Sequence, residues 1–242
     1  MFSPMRSILS EVLTPQTISL GTALVLASVG GTYALKVRNR LRRTDPGQIQ
    51  SSLKPSDSFN NSHTMRTLVN PRNHVTKGDS HSTILALCSK YDTPSEEDVL
   101  SAFLKGFFAG PVFLPESIAL SLFSIVKLPP KATTLWDTFQ IADIELSGSH
   151  TAAPTGSRVD VVFGDSRREF AGCHRFTVKK VGNNGFDEDE IRFCVSLECL
   201  VCNPLTNRQG GSDLLHFLHN KYSYLLYRDA LAHIKCVYGN ST

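Results

Sequence analysis

The sequence predicts an α+β domain behind a single hydrophobic N-terminal segment, on three observations. An uncharged run lies near the start, at 17–35. A period-two alternation of apolar residues dominates 135–202. A long stripe with helical period closes the chain. Hydrophobic residues make up 41% of the 242 and charged residues 19%, enough for an ordinary core and not the composition of a disordered chain. The formal net charge is only +3, and there is no aromatic-interleaved basic stripe or zinc-finger spacing, so nucleic acid is not an expected partner. The six cysteines (Cys88, Cys173, Cys194, Cys199, Cys202 and Cys236) are too sparse and uneven for a disulfide framework and read as free thiols.

Residues 1–16 form an N-terminal flank, and 17–35 read TISLGTALVLASVGGTYAL. At about 1.5 Å per residue the run spans about 28 Å, close to a bilayer hydrocarbon core, so it is expected to be a transmembrane helix. Lys36, Arg38, Arg40, Arg42 and Arg43 follow at once, whereas the other flank has only Arg6, offset by Glu11. The positive-inside rule then puts the C-terminal portion in the cytosol, as a single-pass membrane protein with the lipid bilayer as its first partner. A cleaved signal peptide is the competing reading, but its basic residues normally precede the apolar run. The sequons at Asn60 and Asn240 would be glycosylation sites under a lumenal orientation.

Residues 36–80, rich in Ser, Asn, Asp, Pro and Thr after the basic cluster, are expected to be a flexible tether. The folded domain is expected over 81–238. Thr83–Cys88 is a buried strand. Thr93, Pro94 and Glu96 mark a helix start, with Val99, Leu100, Phe103, Leu104 and Phe107 as its apolar stripe. A second helix is expected over Pro115–Ile125, ended by Pro129-Pro130. Strands follow at Leu135–Ile144, around Val159–Phe163, at Phe170–Val181 and at Ile191–Cys202, with turns at Gly164-Asp165-Ser166 and Asn183-Asn184-Gly185. A helix over about 213–235 carries Leu214, Leu218, Tyr222, Leu225 and Leu226 near one face.

This order of strand, two helices, antiparallel run and long C-terminal helix resembles the helix-grip domains of the START and polyketide-cyclase superfamily. The resemblance implies a curved antiparallel sheet packed on the last helix, with a hydrophobic ligand between them. A plain two-layer α+β sandwich is the alternative. The segments GFFAGPVFLPE (106–116), REFAGCHRFTV (168–178) and CNPLTN (202–207) are similar to small uncharacterised fungal proteins, some of them encoded beside natural-product biosynthetic genes. That similarity implies secondary-metabolite biosynthesis, with other membrane-bound biosynthetic enzymes as partners. The activity would be a non-redox cyclisation or isomerisation that needs no cofactor.

Among single residues, His174 shares a strand face with Phe176 and Val178, so an imidazole can point into a cavity and act as an acid or base; a core histidine bonded to a carbonyl is the alternative. Tyr222 falls with Leu218 on the last helix. His174 and Tyr222 are the candidate catalytic residues, with Phe176, Val178 and Leu218 as candidate ligand-binding residues. Asp160 and Glu198 lie on polar strand faces and are expected at the surface, and Asp165 with Arg167 and Arg168 reads as a charged turn. Cys199 and Cys202, with Cys194, His216 and His219, invite a zinc reading. A second C-x-x-C is missing, however, and residues three apart on a strand face opposite sides, so no metal site is expected. No nucleophile elbow, P-loop, dinucleotide fingerprint or H-E-x-x-H occurs. A non-catalytic lipid-binding or transfer module, or an accessory scaffold for a membrane enzyme, remains the alternative to an enzyme.

Overall fold

The computed structural model describes residues 15–88 (side chains of 28–87), 93–115, 131–135, 138–147, 156–182, 190–209 and 212–239. The chain divides into two units, Met1–Arg42 and Arg43–Thr242. In the first, one uninterrupted helix α1 (Pro15–Leu41) covers the expected apolar span and runs on through Arg38 and Arg40. Thr32 satisfies its hydroxyl within the helix by donating to Ser28 O at 3.0 Å and Val29 O at 2.9 Å. Among the described residues no helix is long and apolar enough to cross a membrane. Most of the expected span lies outside those residues, because the side chains of 15–27 are not described.

The second unit is built on a seven-stranded, wholly antiparallel sheet. Its strands are β1 (Gln50–Ser52), β2 (Thr76–Cys88), β3 (Thr134–Leu135), β4 (Phe139–Glu145), β5 (Ser157–Gly164), β6 (Ala171–Val181) and β7 (Glu190–Cys202), in the order β1-β2-β7-β6-β5-β4-β3. The first long strand therefore pairs with the last, and the rest form a meander. Alternation in β7 is as expected: Ile191, Phe193, Val195, Leu197 and Cys199 are buried and the residues between them are half-buried.

One face of the sheet carries helix α3 (Glu96–Ala109) and the C-terminal helix α4 (Asp213–Tyr238). The core between them is aromatic: Phe103 and Phe107 meet Phe176 edge-on, with centroids 5.2 and 5.0 Å apart. Tyr227 closes it, donating its hydroxyl to Val195 O at 2.8 Å. The two helices approach closely because Gly106 faces Ala230; a Cβ at Gly106 would lie 2.7 Å from Ala230 Cα.

Several expectations are corrected. Residues 46–75 are not a featureless tether. They contain a 3₁₀ turn (Pro46–Gln48), β1, the short helix α2 (Asp57–Asn60) and a π-helical turn (Met65–Val69), and β2 begins at Thr76 rather than near His81. Phe59, Met65 and Val69 from this segment pack on Ala171, Cys173, Leu200 and Cys202, covering the second face of the sheet. The strand expected at 135–144 is two antiparallel strands, β3 and β4, and Thr138 N donates to Leu135 O at 3.2 Å. Helix α3 is capped by Ser95, not Thr93. Ser95 Oγ accepts from Asp98 N at 3.1 Å and Ser95 N donates to Asp98 Oδ2 at 2.9 Å, a capping box two residues nearer the apolar stripe. Pro115–Ile125 apart from Pro115 itself, the Asn183-Asn184-Gly185 turn and Asn240 lie outside the described residues.

The apolar stripe expected along α4 is corrected too. Leu214 and Leu218 are 66% and 54% exposed, because the first turns of the helix stand clear of the packed layer. The buried face is carried further along, by Ser223, Leu226, Tyr227, Ala230, Leu231 and Ile234.

Candidate functional site

Strand register sets the floor of the site. Asp79 on β2 pairs with Cys199 on β7, and Cys199 pairs with His174 on β6. Directly paired residues project to the same face, so a carboxylate, a thiol and an imidazole stand in one row across three neighbouring strands. Helix α4 crosses above them and supplies His219, Tyr222 and Ser223.

A cavity of about 220 Å³ opens beside this row. Phe107, Phe113, Phe139, Phe163 and Phe170 form its walls. His174, His219 and Tyr222 give it polar edges, and Ser223 and Leu226 complete the helix side. The two residues singled out from the sequence as a catalytic pair, His174 and Tyr222, thus line one cavity. The candidate ligand-binding residues fall elsewhere. Phe176 and Val178 are fully buried in the core, and Leu218 is exposed; none of the three is in the cavity lining.

The His174 ring is set among Phe163 (4.8 Å), Phe107 (5.5 Å) and His219, which it stacks on at 6.3 Å with planes 12° apart. Burial among these rings lowers its pKa to about 3, with the His219 charge adding to the effect and Asp79 opposing it. The imidazole is therefore neutral at pH 7, and its buried Nδ1 has no hydrogen-bond partner. A neutral ring at this position is able to hold a polar atom of a ligand.

Asp79 is the polar hub. It is 1% exposed. Ser223 Oγ donates to its Oδ2 at 2.8 Å, and His81 Nε2 lies 2.9 Å from the same oxygen. The His81 contact is close but lacks hydrogen-bond alignment, and its Nε2 is without a hydrogen-bond partner. On its other side His81 Nδ1 meets Ser51 Oγ at 2.9 Å. The second carboxylate oxygen, Asp79 Oδ1, is buried and makes no hydrogen bond. Facing it are His219 Nε2 at 3.8 Å and the Cys199 thiol, whose Sγ is 3.4 Å from that same His219 nitrogen. Burial pushes the Cys199 thiol well up from its usual range, and the Asp79 charge adds to this.

Three other carboxylates make contacts outside the cavity. Asp160 is not at the surface, although it lies on the polar face of its strand: the 57–69 layer covers that face, and Asp160 is 1% exposed in a two-pronged ion pair with Arg175 (2.7 and 2.8 Å). Glu198, on the same face, is half-buried and accepts the Ser56 amide. Asp165 and Arg167 form the expected charged turn, with Arg167 Nε donating at 3.1 Å. Cys202 points to the layer opposite Cys199, so this C-x-x-C does not converge. Asn60 is exposed at the end of α2.

Together these features define an α+β domain with an aromatic cavity edged by a buried Asp–Cys–His row. No family model matches the chain, and no curated protein is detectably similar to it in sequence.

Proposed function

We propose that this is a membrane-anchored protein whose cytosolic helix-grip-like domain binds one small hydrophobic molecule, and that it promotes a non-redox cyclisation or isomerisation in secondary-metabolite biosynthesis. The observation that carries the binding reading is the cavity of about 220 Å³ walled by five phenylalanines and edged by His174 and Tyr222. Drug-sized ligands occupy about 300–1,000 Å³, and a dry cavity of about 150 Å³ takes benzene, so the occupant is close to single-ring scale. Aromatic walls recognise an apolar body, and few polar groups fix its orientation. The order of the sheet, with the first long strand against the last and a long helix across the face, supports the helix-grip assignment. Rate enhancement would come from holding a reactive conformer in a water-poor pocket, with the Tyr222 hydroxyl and the neutral His174 as hydrogen-bonding groups. The apolar run at 17–35 and the arginines behind it support the anchor and its orientation.

A second reading, a lipid-binding or transfer module, is favoured by one observation: Leu214, Leu215, Phe217 and Leu218 at the start of α4 are all more than half exposed, which suits a domain that meets a bilayer to load its ligand.

The test uses the full chain in mild detergent and a fluorescent apolar probe of one or two rings. The wild type takes up one probe per chain. Leu226→Trp fills the cavity and abolishes uptake while far-ultraviolet circular dichroism is unchanged. With a metabolite substrate in hand, His174→Ala lowers turnover by about 10-fold or more in an enzyme and leaves probe exchange intact in a transfer module. Equal probe uptake by wild type and Leu226→Trp would remove the cavity from the account.

A further inference from the structure

We infer that Asp79, Cys199 and His219 form a binding site for one divalent cation of the zinc class, with a fourth coordination position left open. The three side chains each offer one donor atom, and these atoms all lie within 4.8 Å of one another. Tetrahedral zinc, with bonds of about 2.3 Å to sulfur and about 2.0–2.1 Å to nitrogen and oxygen, spaces its S and N donors by about 3.6 Å and its N and O donors by about 3.3 Å. The structure has Cys199 Sγ and His219 Nε2 3.4 Å apart, and His219 Nε2 and Asp79 Oδ1 3.8 Å apart. Each His219 distance is within a few tenths of an ångström of its ideal, and Asp79 Oδ1 and Cys199 Sγ lie within the same 4.8 Å.

The independent observation is Asp79 Oδ1. It belongs to a side chain 2% exposed, makes no hydrogen bond, and is aimed into this gap. A buried carboxylate oxygen with no donor is costly unless a cation meets it. A plain hydrogen-bonded network does not account for it, because His219 Nε2 is too distant to donate to it and already faces the thiol. The other oxygen, Oδ2, is held by Ser223 at 2.8 Å with His81 beside it, the outer-shell arrangement that orients a ligating carboxylate. Two of the three ligands stand on directly paired positions of neighbouring strands, so the site is rigid before any ion arrives.

The donor set selects the metal. One thiolate, one imidazole and one carboxylate suit a borderline-soft ion such as Zn²⁺ and disfavour Mg²⁺ or Ca²⁺, which take oxygen. On binding, the Cys199 thiol gives up its proton to solvent and the sulfur becomes the ligand. Three protein ligands leave a position for water or ligand, and His219 itself lines the cavity. Zinc brings Lewis acidity without redox chemistry. The site does not depend on what the cavity holds, because metal binding is read without any organic ligand.

The test is titration of the full, metal-stripped chain in detergent with Co²⁺ and then Zn²⁺. The expected result is one Co²⁺ per chain, with a thiolate-to-cobalt charge-transfer band and the strong visible bands of a tetrahedral centre, all removed by stoichiometric Zn²⁺. Cys199→Ser loses the charge-transfer band, and His219→Ala weakens Zn²⁺ binding by more than about 100-fold. Ser223→Ala, which frees the oriented carboxylate, weakens it by about 10- to 100-fold, and Cys236→Ser changes nothing. Weak octahedral cobalt spectra in the wild type overturn the proposal without recourse to variants. So does a charge-transfer band that survives Cys199→Ser, or one that vanishes with Cys236→Ser.

Discussion

Replacing Asp160 by Asn tests whether the segment before β2 is a folded layer. Asp160 and Arg175 are cross-strand partners, and their side chains are 1% and 7% exposed. The Arg175 guanidinium lies 4.6 Å over the Phe59 ring, so its far side meets an aromatic face instead of water. Burial alone would lower the Arg175 pKa, but the two hydrogen bonds and the charge of Asp160 raise it above its usual value. Asn keeps the shape and removes the charge, leaving a buried guanidinium that cannot deprotonate. Breaking one member of a buried pair costs about 3–5 kcal/mol. That is a large share of the roughly 5–15 kcal/mol that holds a domain together. The assay is urea unfolding of the full chain, followed by circular dichroism, with the midpoint falling and the slope unchanged. Replacing both partners by apolar residues, Asp160→Leu with Arg175→Met, should recover most of the loss. A cost below about 1 kcal/mol for Asp160→Asn, the range of an exposed ion pair, would refute burial beneath residues 57–69.

Three other outcomes follow from single residues. Glu96 feels burial, which would raise its pKa, but hydrogen bonds from Lys180 N, Ser147 and Ser157 outweigh it and hold the pKa below 4.5. Its stabilisation is thus present above the ordinary carboxylate range and lost as pH falls through the depressed value. Glu96→Gln should cost about 1 kcal/mol at pH 7, after allowance for solvent, with the gap from wild type closing in acid in a denaturation series. His174 is held neutral, with a folded pKa of about 3 against 6.5 unfolded, so the metal-free chain should lose stability as pH drops below about 6.5; His174→Phe should flatten that slope, and an unchanged slope would contradict burial of the ring. Gly106→Ala puts a methyl 2.7 Å from Ala230 Cα and His233 Cβ and should cost about 1–3 kcal/mol by thermal melting, as α3 and α4 are pushed apart.

The period-two pattern made β5, β6 and β7 legible, and with them the inward face of β6 that carries His174. Parity also assigned Asp160 to the face opposite Val159 and Val161. What parity cannot tell is whether that face meets water. The covering layer comes from 57–69, a polar stretch with no period, whose few apolar residues, Phe59, Met65 and Val69, do not announce a helix or strand. Cys199 and His219 stand on consecutive elements and fall within the zinc reading of the sequence, but Asp79 was illegible for a related reason. It comes from a distant element, and only the β2–β7 register makes it the neighbour of Cys199. The local C-x-x-C motif pointed instead to Cys202, which faces the other layer. A signal was present in Asp79 and His81, polar residues that alternate into a strand ending in Leu85 and Leu87, since buried polar residues on a core face commonly mark a site.

The central claim is that the cavity beneath α4 holds one apolar molecule. Native mass spectrometry of the full chain, released from detergent after incubation with a single-ring terpenoid or aromatic, measures this directly. The account predicts one non-covalent adduct per chain in the wild type and none in Leu226→Trp. Adducts of equal abundance in both proteins, or several per chain without saturation, would contradict it.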